Sequence, residues 1–173
     1  MSSEEPESFT EDFFKICLNQ ILELSNKYQD GWKLHKKEEF GSVFITKKSR
    51  MTLSAPEEDL QDIHVTFEYH VTYHPSYCVP VLAFHIWKQD GTFLALEDFW
   101  KYCSHLKNSN MYDTLTQLDH PVLQRPILTL HPCKTHEIMR SFMKHSKNPV
   151  ISWLSTVGYA VNLKLLKEYQ NVC

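Results

Sequence analysis

One stretch of this 173-residue chain leaves little freedom in how it folds. From residue 63 to 73, Ile63, Val65, Phe67, Tyr69, Val71 and Tyr73 alternate with His64, Thr66, Glu68, His70 and Thr72. A period of two sends the apolar set to one face of a strand and the polar set to the other. The stretch therefore calls for a sheet with one packed face. A second apolar run, 79–88, follows closely and stops at Gln89-Asp90-Gly91, a hairpin-type turn. Residues 32–35 and 43–47 read as two shorter strands either side of a turn at Gly41. Consecutive strands joined by short turns pair antiparallel.

Helical spacing brackets these strands. Ser8 and Glu11 form a capping-box pattern, in which hydroxyl and carboxylate satisfy backbone donors at a helix start. Phe13, Phe14, Cys17, Leu18, Ile21, Leu24 and Tyr28 then recur as one apolar stripe, closed by Asp30-Gly31. Residues 48–62 read as a polar loop. Leu96, Phe99, Trp100, Cys103 and Leu106 share a second helical face, and 107–126 reads as irregular. A short apolar run, 127–130, leads into His131-Pro132-Cys133. Thr135 looks like the cap of a helix over 136–145 with Ile138, Phe142 and Met143 turned inward, and a last helix is expected over 163–169. Helix, then strands, then helices is the order of an α+β fold, an antiparallel sheet flanked by helices, here in one domain, 1–173.

Composition narrows the function classes. No apolar run approaches the roughly 20 residues that cross a bilayer, so stable membrane insertion is not expected. The acidic start (Glu4, Glu5, Glu7, Glu11, Asp12) does not fit a secretory signal, and the expected location is cytoplasmic. Net charge is −3 but uneven: after Cys133 the balance turns basic, with Lys134, Arg140, Lys144, Lys147, Lys164 and Lys167 against Glu137 and Glu168. That is too sparse a stripe for a nucleic-acid protein. Five scattered cysteines, Cys17, Cys78, Cys103, Cys133 and Cys173, are no disulfide scaffold. One or two of them at most have a special task, the others being buried fillers.

The segment His131-Pro132-Cys133-Lys134-Thr135 carries the chemistry. Proline stops strand pairing, so the chain leaves the sheet before the cysteine. Cys133 then stands ahead of a helix N-terminus, where partial positive charge favours thiolate, with Lys134 beside it and His131 two residues away. A nucleophilic cysteine follows from that setting. A zinc site is the alternative, since His131, Cys133 and His136 form H-x-C-x2-H and His120 is available as a fourth ligand, although zinc sites normally show clearer paired spacing. A cysteine protease needs a base oriented by a third group, and no protease signature surrounds any histidine. The run Tyr69, Tyr73, Tyr77 reads either as packing or as a protein-docking surface.

Three passages carry a resemblance. FEYHVTYHPSYCVPVLAFHIWKQDGTFLALEDFW, DTLTQLDHPVLQRPILTLHPCKT and ISWLSTVG are similar to the central strands, the approach to the active cysteine and the C-terminal motif of the autophagy-related conjugating enzymes. The resemblance implies a reduced ubiquitin-conjugating-enzyme-like fold. It implies that Cys133 accepts the C-terminal glycine of a ubiquitin-like modifier, autophagy protein twelve, from an activating enzyme, autophagy protein seven, and passes it to a lysine of a target, autophagy protein five. No cofactor is implied. Ordinary ubiquitin-conjugating enzymes carry an H-P-N motif whose Asn stabilises the oxyanion. Here His120-Pro121-Val122 and His131-Pro132-Cys133 both lack the Asn, and His131 is the candidate auxiliary. The lipid-conjugating sister enzymes share the H-P-C cysteine but carry a long acidic insertion, where this chain has the short loop 48–62. A silent adaptor of the same fold is disfavoured by the intact H-P-C.

Overall fold

The computed structural model describes residues 9–106 and 111–173. Its strands are β1 (Lys33–Lys37), β2 (Ser42–Leu53), β3 (Ile63–His74), β4 (Val79–Lys88), β5 (Leu115–Asp119) and β6 (Pro126–Leu130). They form a six-stranded sheet in the order β1-β2-β3-β4-β6-β5, each neighbouring pair antiparallel. The alternation in β3 sets the register: Tyr69 lies between Lys47 and Phe84, and Phe67 between Ser49 and Ile86. Against that inner face pack α1 (Glu11–Tyr28), α4 (Thr135–His145) and α5 (Pro149–Val157). Phe67, Tyr69 and Phe84 are fully buried there with Phe14, Leu18, Ile21, Trp153 and Leu154.

The first helix starts on a different cap from the expected one. Thr10 holds the N-cap and its Oγ1 accepts the Phe13 N–H at 3.2 Å. Ser8 lies outside the described residues. The helix ends at Tyr28, with Gln29 left-handed at its C-cap.

Several boundaries need correcting. β2 runs on to Leu53, so the loop read as 48–62 is only 54–62. Lys48, Arg50 and Thr52 are polar because they face outward on a long strand, while Met51 and Leu53 still pack inward. The stretch 107–126, read as irregular, contains α3 (Met111–Thr114) and β5; residues 107–110 lie outside the described residues. The helix expected over 96–106 is α2 (Leu96–Lys101), followed by a 3-10 turn at Ser104–Leu106. In place of a helix over 163–169 there is a 3-10 helix, Lys167–Val172, whose Tyr169 is buried and donates to Asp30 Oδ2 at 2.9 Å.

The element missed altogether is α5. Its first six residues, Pro149–Leu154, are buried in succession and only Ser155 and Thr156 are exposed, so the short helix shows little amphipathic period. Its start was signalled: Asn148 caps it, accepting the Ile151 N–H, and Pro149 occupies the first turn. The same Asn148 is fully buried and donates to Cys17 O at 3.0 Å and Gln20 Oε1 at 2.8 Å, tying α5 to α1.

Candidate active site

β6 delivers the chain to the site. Leu130 pairs with Leu115 in the last rung of the sheet, and the His131 N–H donates to Thr114 O at 2.9 Å. Pro132 has no N–H to continue the ladder, and it is buried, so it anchors the turn as the chain leaves the sheet. Pro132–Lys134 then form one 3-10 turn that runs directly into α4.

The cap of this turn is His131, where the sequence pointed to Thr135. His131 Nδ1 accepts the Cys133 N–H at 3.1 Å, while Thr135 is buried inside the helix and its N–H bonds Pro132 O. A neutral imidazole that accepts at Nδ1 carries its proton on Nε2. The geometry therefore brings His131 and Cys133 together, fixes the ring beside the cysteine and leaves an N–H donor pointing elsewhere. Cys133 and His131 are both exposed.

The other thiols divide in two. Burial raises Cys17 to about 11 and Cys103 to about 12, so both are fillers. Cys78 and Cys173 are exposed as well as Cys133, one more than the sequence led us to expect, but neither opens a helix.

His120 does not join Cys133. It sits in the β5–β6 connection, 1% exposed, on the outer face of the sheet. Its Nδ1 accepts two backbone N–H groups, from Val122 and Leu123, both at 3.1 Å. The ring proton must then be on Nε2, which lies 3.3 Å from His70 Nδ1. His70 in turn carries its proton on Nε2 and donates to Glu68 Oε1 at 3.1 Å, and Glu68 Oε2 holds Lys48 at 3.0 Å. Every tautomer along this line is forced. Burial above all, then the charges of His70, Arg125 and His85, pulls His120 down to about 3. Sequence reasoning missed this network, although the outward position of His70 in the alternating strand was a signal for it. His136 is exposed in the first turn of α4. Among the described residues, no group of three or more His, Cys, Asp or Glu is arranged to hold a metal ion.

The tyrosines also separate. Tyr69 is fully buried and donates to Val161 O at 2.7 Å. Tyr73 is half-buried against Phe9 and Phe14 and donates to Phe9 O at 3.0 Å. Both are structural. Tyr77 is 57% exposed at the β3–β4 turn, its ring 4.7 Å from that of His74.

An antiparallel sheet with helices on one face, ending in a cysteine-bearing turn at a helix start, places the protein in the E2-like α+β class. A crystal structure of an autophagic E2, Atg10, shares the fold with a TM-score of 0.56 at 15% identity, over 87% of this chain and 94% of that one. The chain belongs to the family described as autophagocytosis associated protein, active-site domain, whose model matches residues 13–168. Relatives include the ubiquitin-like-conjugating enzyme ATG10 of Homo sapiens, 41% identical over 61% of this chain and 52% of that protein. The enzyme of the same name from Arabidopsis thaliana is 33% identical over the same shares. The chain thus spans about half the length of these relatives. No described helix is long and apolar enough to cross a membrane.

Proposed function

We propose that this chain is a ubiquitin-like conjugating enzyme of autophagy that carries its modifier as a thioester on Cys133. The Cys133 thiolate attacks the carbonyl carbon of the modifier's C-terminal glycine, held as a thioester on the activating enzyme, and that enzyme's thiol leaves. A neutral lysine amine of the target then attacks the same carbon. The amine loses a proton, Cys133 departs as thiolate, and an isopeptide bond remains. The observation that carries this reading is Cys133 exposed in the turn between β6 and α4 of a family named for its active site.

His131 is the auxiliary. With Nδ1 occupied by the Cys133 N–H, its Nε2–H is the donor assigned to the oxyanion that forms when lysine attacks, the role an H-P-N asparagine would fill. The modifier, activating enzyme and target in this reading are the autophagy proteins twelve, seven and five, and the setting is cytoplasmic. The similarity to enzymes named ATG10 supports transfer to protein over transfer to lipid. The test is incubation with activating enzyme, ATP and modifier, followed by gels with and without thiol reductant. A reductant-sensitive adduct is expected on the native chain, a reductant-stable oxyester on Cys133→Ser and none on Cys133→Ala. An adduct that survives Cys133→Ala overturns the assignment.

A further inference from the structure

The outer face of the sheet, away from α1, α4 and α5, has no role in the chemistry of Cys133. The register sends Lys33, Lys48 and Arg50 outward from β1 and β2, and Glu68 is the acidic residue facing outward from β3. Glu68 is already neutralised by Lys48 at 3.0 Å and bonded by His70. The face is therefore cationic on a chain whose net charge is −3.

A cavity of about 590 Å³ lies on it, at the end of β3 remote from Cys133. Arg50, Thr66 and Trp87 line it and stand in one row across three adjacent strands, with His64 in the next row. No carboxylate lines it among the described residues. Among them Arg50 makes no ion pair and the Trp87 indole N–H, itself buried, has no hydrogen-bond partner. At the edge of the cavity Phe93 is 51% exposed, its ring 4.1 Å from Trp87 and 4.6 Å from His85, held by a β-bridge to Trp87. A large aromatic ring pinned by two others and left open to water is an anchor without its partner.

We propose that this outer-face groove docks an extended acidic segment of a partner protein, its carboxylates on Arg50, His64 and the Thr66 hydroxyl and an apolar side chain against Phe93 and Trp87. Charge decides the occupant: a lining with Arg50 and Lys88 and no carboxylate selects an anionic segment. Shape decides its length, because a groove open along several strands suits a peptide better than a small enclosed ligand. The register separates Trp87 from the Cys133 turn by about eight residues of strand, on the order of 25 Å. A partner held here would leave the thiol clear while raising its own concentration near it.

The experiment uses the full chain and a fluorescein-labelled peptide alternating glutamate with leucine, read by anisotropy and by quenching of tryptophan emission. Trp32 and Trp153 are buried and Trp100 packs partly buried against the inner core, so quenching is read in a Trp100→Phe background, where it reports on Trp87 in the groove. Binding should weaken about tenfold in Arg50→Glu and in Phe93→Ala, and should fall with salt. Both variants change exposed positions, and circular dichroism checks that each is folded. Equal binding by a lysine–leucine peptide, no loss in folded Arg50→Glu, or no binding at all would each overturn the proposal. Displacement of the peptide by inorganic phosphate at comparable concentration would overturn it too, by showing a generic anion site. Cys133→Ala should bind the peptide normally, which keeps this result separate from the thioester reading.

Discussion

Replacing His120 by Asn is the sharpest test of the outer-face network. The ring is neutral when folded, at about 3, whereas in an unfolded chain it titrates near 6.5. A depressed folded value means the contribution to stability is complete above 6.5 and is lost as pH falls from there toward 3. Between pH 7 and pH 5 only the unfolded state takes up the proton, so His120 alone should cost about 2 kcal/mol of stability. For a chain of this size that is a drop in Tm of roughly 4–8 °C. Asn Oδ1 occupies nearly the position of His Nδ1, so His120→Asn keeps an acceptor for the Val122 and Leu123 N–H groups and removes the titration. It loses the edge-on contact with Phe44, ring centres 4.8 Å apart, and the Nε2–H bond to His70 Nδ1, together worth about 2–3 kcal/mol at every pH. Thermal melts of both proteins at pH 7 and pH 5 decide the matter. The variant should start lower at pH 7 and fall less between pH 7 and pH 5. His70 and His85, also held low by burial first, leave some slope in both proteins. An identical drop in the two would refute the argument.

Three further outcomes follow from the geometry. His131→Asn should keep the cap on the Cys133 N–H and charge normally, yet discharge to lysine about a hundredfold slower in single-turnover assays, because the Nε2–H is gone; unchanged discharge would leave His131 as a cap only. Asn148→Ala removes the α5 cap and two buried bonds to α1, and urea titration should show a loss of about 2–3 kcal/mol; a loss under 1 kcal/mol would contradict it. Tyr77→Ala should leave Tm and charging unchanged while slowing transfer to the target, and equal transfer rates would remove this turn from target binding.

The parts of the fold legible in the sequence were those with a period. β3 and β4 were readable to within a residue because alternation and a turn bounded them, and α1 because its stripe was amphipathic. β2 was cut short because Lys48, Arg50 and Thr52 look like loop, though an outward strand position asks only for polarity. β5 was hidden in the same way: Leu115 alone of its residues is fully buried, and it is an edge strand whose partner follows it in sequence. α5 was invisible for the opposite reason, since the unbroken burial of Pro149–Leu154 erases most of the pattern that identifies a helix.

The site divides along the same line. The exposed position of Cys133 in a turn before a helix was readable because proline, cysteine and a helix start are adjacent in sequence. The role of His131 as cap was not, because its direction depends on the bond from its own N–H to Thr114 O, a contact across the β5–β6 pair. The histidines at 70 and 120 were further out of reach, being fifty positions apart in the chain. Their meeting follows from topology: β6 beside β4 carries the β5–β6 connection back across the outer face, over the C-terminal half of β3. That crossing covers His70 and Thr72, which alternation had assigned to water, and leaves the N-terminal half of β3 open. One strand thus has an outer face closed over His70 and Thr72 and open at its N-terminal half, where the groove lies.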